Sequence, residues 1–351
     1  METPDFLHVP PFPPYMTDES LQGIHHVSAI TGEAAANVRF YTDVLGLRLV
    51  TKTVNQDDVA SYHLFYGDET GAPGTDLTFF DVPHARDQRP GTGLITGTSL
   101  RVRGAEALRA WAERLDAHDV RRTPVHERGG RRALTLFDDE GQTLHLVDDA
   151  DETDRVPDTT PWADGPVPVD QAIRGLGPVE ITVAELGPTR QALTEVFGFR
   201  EARSYEVEPV EAGGESLASP PAPSGTAVVF ETGPGGVAAE LHVVARPDAE
   251  RGWLGRGGVH HLALRTPNSE TIRAWRERIA AAGLQPSPVL DRHYFESVYT
   301  REPGGILIEI ATDTGTPFPV EEAAAGRLTL PPKLEPRREE IEAQLSPLDD
   351  E

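Results

Sequence analysis

The chain contains no cysteine. That excludes a disulfide framework, a thiolate metal site and a cysteine nucleophile. Any metal must therefore be held by nitrogen and oxygen donors. Lysine is nearly absent as well: of 32 basic side chains only Lys52 and Lys333 are lysine, the rest being arginine. Set against 57 acidic side chains, they leave a net charge of -25. A surface this negative repels phosphate backbones and anionic lipid, so neither nucleic acid nor membrane is an expected partner. No apolar run approaches the ~20 residues that span a bilayer. The opening METPDFLHVPPFPPYM lacks the basic-then-apolar order of a signal peptide, and a cytoplasmic location is expected.

What is present is length and repetition. The 351 residues suggest about two domains at ~150 residues each, and 38% hydrophobic residues are enough for real cores. GIHHVSAI (23–30) matches GLGPVEIT (175–182), and FYTDVLGLR (40–48) matches ALTEVFGFR (192–200), both at an offset of 152. TSLRV (98–102), RAWAERL (109–115) and LHLVDD (144–149) match LALRT, RAWRERI and IEIATD at an offset of 164. The chain is thus two similar halves of two modules each. Each module reads as a β-branched strand, an amphipathic helix and further strands set off by turn residues. In module one the strand is Val27 to Thr31, the helix runs from Ala34 to Leu45 with Gly46 as its cap, and strands follow at 62–66 and 76–80. The even helices carry apolar stripes at Leu108, Trp111 and Leu115 and at Ile272, Trp275 and Ile279.

The fold class expected is α+β: four βαβββ modules in two tandem domains, each a curved mixed sheet forming a barrel-like cleft. The divisions are an N-terminal extension (1–22), domain one (23–150), an acidic proline-rich linker (151–172), domain two (173–315) and a tail with a short helix (316–351). Residues 207–225 read as an exposed insertion. The carboxylate-rich, lysine-poor composition resembles that of salt-in halophiles, whose surfaces stay soluble in concentrated salt. An acidic enzyme from an arginine-rich genome would look similar.

HHVSAIT and VHHLALR open modules one and four, and GGILIEIATD closes the last. Together with DR-x-YF-x-S-x-Y-x-REPGG (291–305) and the LPP-x-x-EPRRE-x-IEA tail, they make the chain resemble the vicinal oxygen chelate superfamily, over roughly residues 22–345. Within it the resemblance is to ring-cleaving dioxygenases that act on hydroquinones.

Two adjacent histidine pairs occur at equivalent strand starts, His25–His26 and His260–His261. Neighbours on a strand point to opposite faces, so one of each pair is expected to face a given cleft. The resemblance assigns the second of each, His26 and His261, as metal ligands. Glu309 lies between Ile308 and Ile310, where a carboxylate costs several kcal/mol unless paired or bound to a metal. Two imidazoles and one carboxylate form the facial set of non-haem Fe(II) oxygenases, with positions left for substrate and oxygen. Counting from the glycine before each last strand, Glu309 matches Thr78, His145 and Glu240. Modules one and four then contribute His26, Thr78, His261 and Glu309. Modules two and three contribute Gly97, His145, Pro178 and Glu240, a cleft without strand-start ligands.

The resemblance also points to Arg292 and Tyr299 as polar active-site residues and to His25 as a group beside the metal. Arg292 could stabilise an anion and His25 could exchange protons. Structural roles are the alternatives: a salt bridge for Arg292, which Arg128 matches in module two, and packing for His25. His260 shares that ambiguity. His63, His118, His126 and His242 read as surface or hydrogen-bonded residues, and His145 as a relic of a duplicated site. The implied activity is Fe(II)-dependent opening of a small aromatic diol with O2 as co-substrate, Mn(II) being the other metal these ligands accept. A homo-oligomer is compatible with it. The alternatives are a glyoxalase-type lyase or isomerase, which normally fills all four positions with ligands, and a metal-free protein that binds small aromatics.

Overall fold

The computed structural model describes residues 20–152, 155–207 and 225–348. The N-terminal extension and the 207–225 insertion lie almost wholly outside the described residues. Module one is β1 (Ile24–Thr31), α1 (Ala34–Arg39), β2 (Arg48–Asn55), β3 (Asp58–Gly67) and β4 (Asp76–Asp81). Module two is β5 (Leu94–Val102), α2 (Gly104–Ala117), β6 (His126–Arg128), β7 (Arg131–Phe137) and β8 (Thr143–Asp148). Module three is β9 (Leu176–Val183), α3 (Leu186–Gln191), β10 (Arg200–Val207), β11 (Gly225–Glu231) and β12 (Glu240–Ala245). Module four is β13 (Gly258–Thr266), α4 (Ser269–Ala281), β14 (Leu290–Asp291), β15 (Glu296–Arg301) and β16 (Leu307–Thr312). The tail holds α5 (Val320–Ala324) and α6 (Arg338–Glu342).

The expected elements are present, with two differences. The helix of module one widens into a π-helical turn at Phe40–Val44 before Gly46, at φ +67°, ends it. Module three repeats this at Ala192–Val196 and Gly198. The second difference is β2, which the sequence reading left unassigned. Its mixed run RLVTKTVN carries no clean alternation, and pairing with β3 defines it.

Pairing between modules sets the architecture. β1 runs antiparallel to β13, joining module one to module four, and β5 runs antiparallel to β9, joining two to three. Each pair builds one curved sheet. The first runs β2-β3-β4-β1-β13-β16-β15-β14 and the second β10-β11-β12-β9-β5-β8-β7-β6. A single pairing, Val259 with Ile95, connects them. Among the described residues no ladder joins β2 to β14, so the first sheet is an open trough rather than a closed barrel. The stripes of α2 and α4 are fully used: all six apolar residues named above are at most 1% exposed, each worth roughly 1.5–3 kcal/mol of burial. The tail crosses the outer strands of module one, where Leu330, Leu334 and Ile341 pack on Val54. Tyr62 donates to the Ser346 carbonyl there (2.9 Å).

Candidate metal centre

Strand register brings the three expected ligands together. Ladder partners share a face, and His26 pairs with Ala263, which pairs with Glu309. His261 pairs with Ser28, two residues after His26 and on the same face. His26, His261 and Glu309 therefore all point into the trough. Their donor atoms lie within 4.8 Å of one another, and all three residues are buried. His26 Nε2 and His261 Nε2 are 3.2 Å apart and lie 3.2 and 2.8 Å from Glu309 Oε2.

The neighbouring histidines are not on the opposite face. The β1–β13 ladder slips at His25 and again at His260, where one extra residue bulges out of each strand. A bulge re-aims a side chain, so the simple alternation assumed from the sequence fails at both pairs. His25 Nδ1 stands 3.0 Å from His26 Nδ1, and His260 Nδ1 stands 2.8 Å from His261 Nδ1. Burial lowers the pKa of both outer histidines to about 3, so both are neutral near pH 7.

Proton positions follow from the partners. His25 Nε2 lies 3.2 Å from the Thr312 carbonyl oxygen, which only accepts, so the His25 proton is on Nε2. Its Nδ1 then accepts, and His26 donates from Nδ1. The His26 Nε2 lone pair is left facing Glu309. Ser297 holds the other carboxylate oxygen, Glu309 Oε1. Burial alone would raise the Glu309 carboxyl, but the His26 and His261 imidazoles outweigh it and hold it well below the usual range. Glu309 Oε2 is buried and, despite the approach of both rings, has no hydrogen bond. An orphaned carboxylate oxygen facing an imidazole lone pair is costly without a cation between them. The donor set fits a divalent transition metal. Thr78 is not free to join it: its hydroxyl lies 2.7 Å from Ser28 Oγ and 3.0 Å from His63 Nε2.

The chain matches the family described as the Glyoxalase/Bleomycin resistance protein/Dioxygenase superfamily over residues 23–146 and 175–310. It belongs to that superfamily. A Bacillus subtilis relative whose name places it among ring-cleaving dioxygenases, MhqA, is 44% identical across 93% of this chain and 99% of its own. The chlorohydroquinone/hydroquinone 1,2-dioxygenase of Sphingobium indicum is 30% identical across 92% and 95%. A crystal structure of a Bacillus subtilis protein described as a dioxygenase superposes with a TM-score of 0.79 and 34% identity, covering 94% of this chain and 98% of that one.

Of the other residues singled out in this superfamily member, Tyr299 pairs directly with Glu309 in the β15–β16 ladder, which resolves a parity that the intervening turn obscured. Its ring meets His261 edge-on at 5.6 Å. Burial and the Glu309 charge raise its hydroxyl well above the ordinary value, so it remains a proton donor. The Arg292 guanidinium lies 5.4 Å from the Tyr299 ring and donates to Asp57 Oδ2 (3.0 Å). His63, read as surface or hydrogen-bonded, lines the same cavity as His26 and His261 and hydrogen-bonds there to Thr78. Burial, with His26 and His261 nearby, pushes its pKa well down. Ser28, Gln56, Phe65, Phe80 and Phe295 also line it. The sequence reading singled out none of these five, because strand register decides which side chains face the cavity.

The second trough departs from the sequence alignment at one position. The residue opposite Glu180, two after Pro178, is His242 and not Glu240. Module three has a longer turn before its last strand, so counting from Gly236 lands two residues early. Both readings leave no metal site. A side chain at Gly97 would collide with His145 Nε2, 2.8 Å from where its Cβ would sit. Arg128 is ion-paired with Glu180 there, as Arg292 is with Asp57 in the first trough. Arg131 and Arg203 neutralise Glu240 at 2.8 and 2.9 Å. The larger cavity, about 600 Å³, opens beside this trough, walled by Tyr41, Asp138, His145 and Glu180. Among the described residues the one cluster suited to a metal is in the first trough.

Proposed function

We propose that this chain is a metal-dependent ring-cleaving dioxygenase that opens a hydroquinone or catechol-type ring, with Fe(II) as the metal and Mn(II) as the alternative. The observation that carries this is the convergence of His26, His261 and Glu309, with Thr78 engaged elsewhere. Three ligands leave positions for a diol and for O2; the lyase reading expects a fourth protein ligand. The names of the relatives point the same way.

His26, His261 and Glu309 would hold the metal, which would supply Lewis-acid and redox chemistry toward a diol and O2 there. The protein groups do the rest. Arg292 keeps its charge at any working pH and stabilises a phenolate beside it. Tyr299 holds a proton close to the ligand face and can deliver it to oxygen. His25 and His260 fix the ring orientation of the two imidazole ligands through Nδ1, as outer partners of metal-bound histidines do. Phe65, Phe80 and Phe295 form the apolar wall against which a ring can lie.

The test is anaerobic reconstitution with Fe(II), followed by oxygen uptake and product analysis across a panel of phenols. One O2 should be consumed per ring opened, and His261→Ala should lose metal and activity by at least ~100-fold. Purified wild type that binds Fe(II) but consumes no oxygen with any diol would sink the proposal. Turnover of a thiol adduct without oxygen would establish the lyase instead.

A further inference from the structure

One wall of the first trough is the β2–β3 hairpin, and it carries two polar atoms without partners. Its turn is two residues long, Gln56 and Asp57. Both reach across to module four. Gln56 Nε2 donates to the Arg292 carbonyl at 2.9 Å, and Asp57 accepts from the Arg292 guanidinium at 3.0 Å. A carbonyl can only accept, so the NH2 end of the Gln56 amide must face it. That turns Oε1 away, and Gln56 Oε1 is buried with no hydrogen bond. On β2, three residues earlier, Thr53 is 4% exposed, and its Oγ1 is also buried without a partner. Both residues line the cavity that His26, His261, Arg292 and Tyr299 line.

Buried polar atoms in native proteins nearly always have a partner, so two orphans in one wall point to a missing one. The pair is complementary to a single chemical group. A threonine hydroxyl can donate and an amide oxygen can only accept. A substrate hydroxyl does both, accepting from Thr53 and donating to Gln56. The other polar lining side chains of this hairpin, Asn55, Asp57 and His63, already have partners, and Phe65, Phe80, Tyr294 and Phe295 supply the aromatic lining.

We propose that Thr53 and Gln56 form a hydroxyl-binding subsite that reads the second hydroxyl of an aromatic diol, the one directed away from the metal ligands, and so selects para-diols over ortho-diols. This rests on the ring-cleaving reading. An ortho-diol presents its two oxygens together, and both are used at the metal. A para-diol places the second oxygen across the ring, where only the opposite wall can meet it. The cavity is about 40 Å³, whereas a cavity of roughly 150 Å³ accepts benzene. The trough must therefore widen to admit a ring, with the Gln56 amide held by its bond to the Arg292 carbonyl.

The experiment is a pair of variants, Gln56→Leu and Thr53→Val, each checked for native melting. Affinity for hydroquinone, catechol and phenol is measured on Fe(II)-loaded protein under argon, where no turnover occurs. The expected result is a loss of about tenfold in hydroquinone affinity for each variant, with the catechol and phenol affinities changing less than about threefold. In air, the hydroquinone-to-catechol ratio of kcat/KM should fall in step. Equal losses for all three ligands, or none, would overturn the subsite. If one variant does not fold, the other decides. A wild type that binds diols under argon but opens no ring in air removes the dioxygenase reading, while the binding arm still tests the subsite.

Discussion

At the scale of single residues, the site depends on where protons reside. His25, His26, His260 and His261 are linked ring to ring, and their Nδ1 atoms are occupied within each pair. The same reasoning places the Tyr299 proton beside the ligand cluster, since burial and Glu309 both resist its loss. Tyr299→Phe should keep the metal and most substrate affinity yet lower kcat by roughly 10²-fold or more, as removal of a proton donor does. Metal content by atomic absorption, with kcat and KM separately determined, checks this. An unchanged kcat would mean that Tyr299 only fills space. The three candidate ligands that the fold brings together could be picked out in the sequence. His26 and His261 repeat at equivalent strand starts, and Glu309 is a carboxylate in an apolar strand. Gln56 and Thr53 could not be read, because nothing in their local sequence tells which way a ladder will turn them, whereas the run SYHLFYGD left pocket lining open for His63.

At the scale of elements, the repeat was legible where hydrophobic spacing is regular. α2 and α4 follow from Trp111 and Trp275 with their neighbours at helical intervals, and β1, β4 and β16 from β-branched runs. What stayed hidden was irregularity. The bulges at His25 and His260 and the π-helical turns are single-residue irregularities, and the turn before β12 is two residues longer; none carries a compositional mark. The β7–β8 hairpin illustrates a different hidden property. Asp138 accepts hydrogen bonds from Tyr41 (2.9 Å) and from the main chain of Glu140 and Gln142 (3.0 and 2.8 Å). Burial nonetheless raises its carboxyl to about 7. A carboxyl raised in the fold binds protons more tightly folded than unfolded, so its contribution is present below the unfolded value near 4 and is lost as pH rises to about 7. For so buried a group the loss is of order 4 kcal/mol. Asp138→Asn should flatten that part of the stability profile. Denaturant midpoints from pH 4 to 8 would show it, and identical slopes in variant and wild type would refute it.

At the scale of the whole molecule, the charge of -25 acts on stability and solubility rather than on the chemistry. Raising salt from 0.1 M to 1 M shortens the screening length from about 10 to 3 Å, which relieves repulsion among exposed carboxylates. The melting temperature should therefore climb by several degrees between 0.1 and 2 M KCl, as read by calorimetry. A flat or falling curve would show that the acidic surface carries no such penalty. No helix among the described residues is long and apolar enough to cross a membrane.

The nesting of the modules has a consequence for how the enzyme comes into being. The partnership of modules two and three joins neighbours along the chain, whereas that of one and four encloses it, with His26 and His261 separated by 235 positions. During synthesis the inner trough can close while the ribosome is still working, but His26 must wait for the strands bearing His261 and Glu309. A chain that stops before β16 therefore lacks Glu309 and cannot complete the cluster. The pairing of modules two and three leaves the outer modules to meet last, and the candidate metal cluster can form only once β16 has been made.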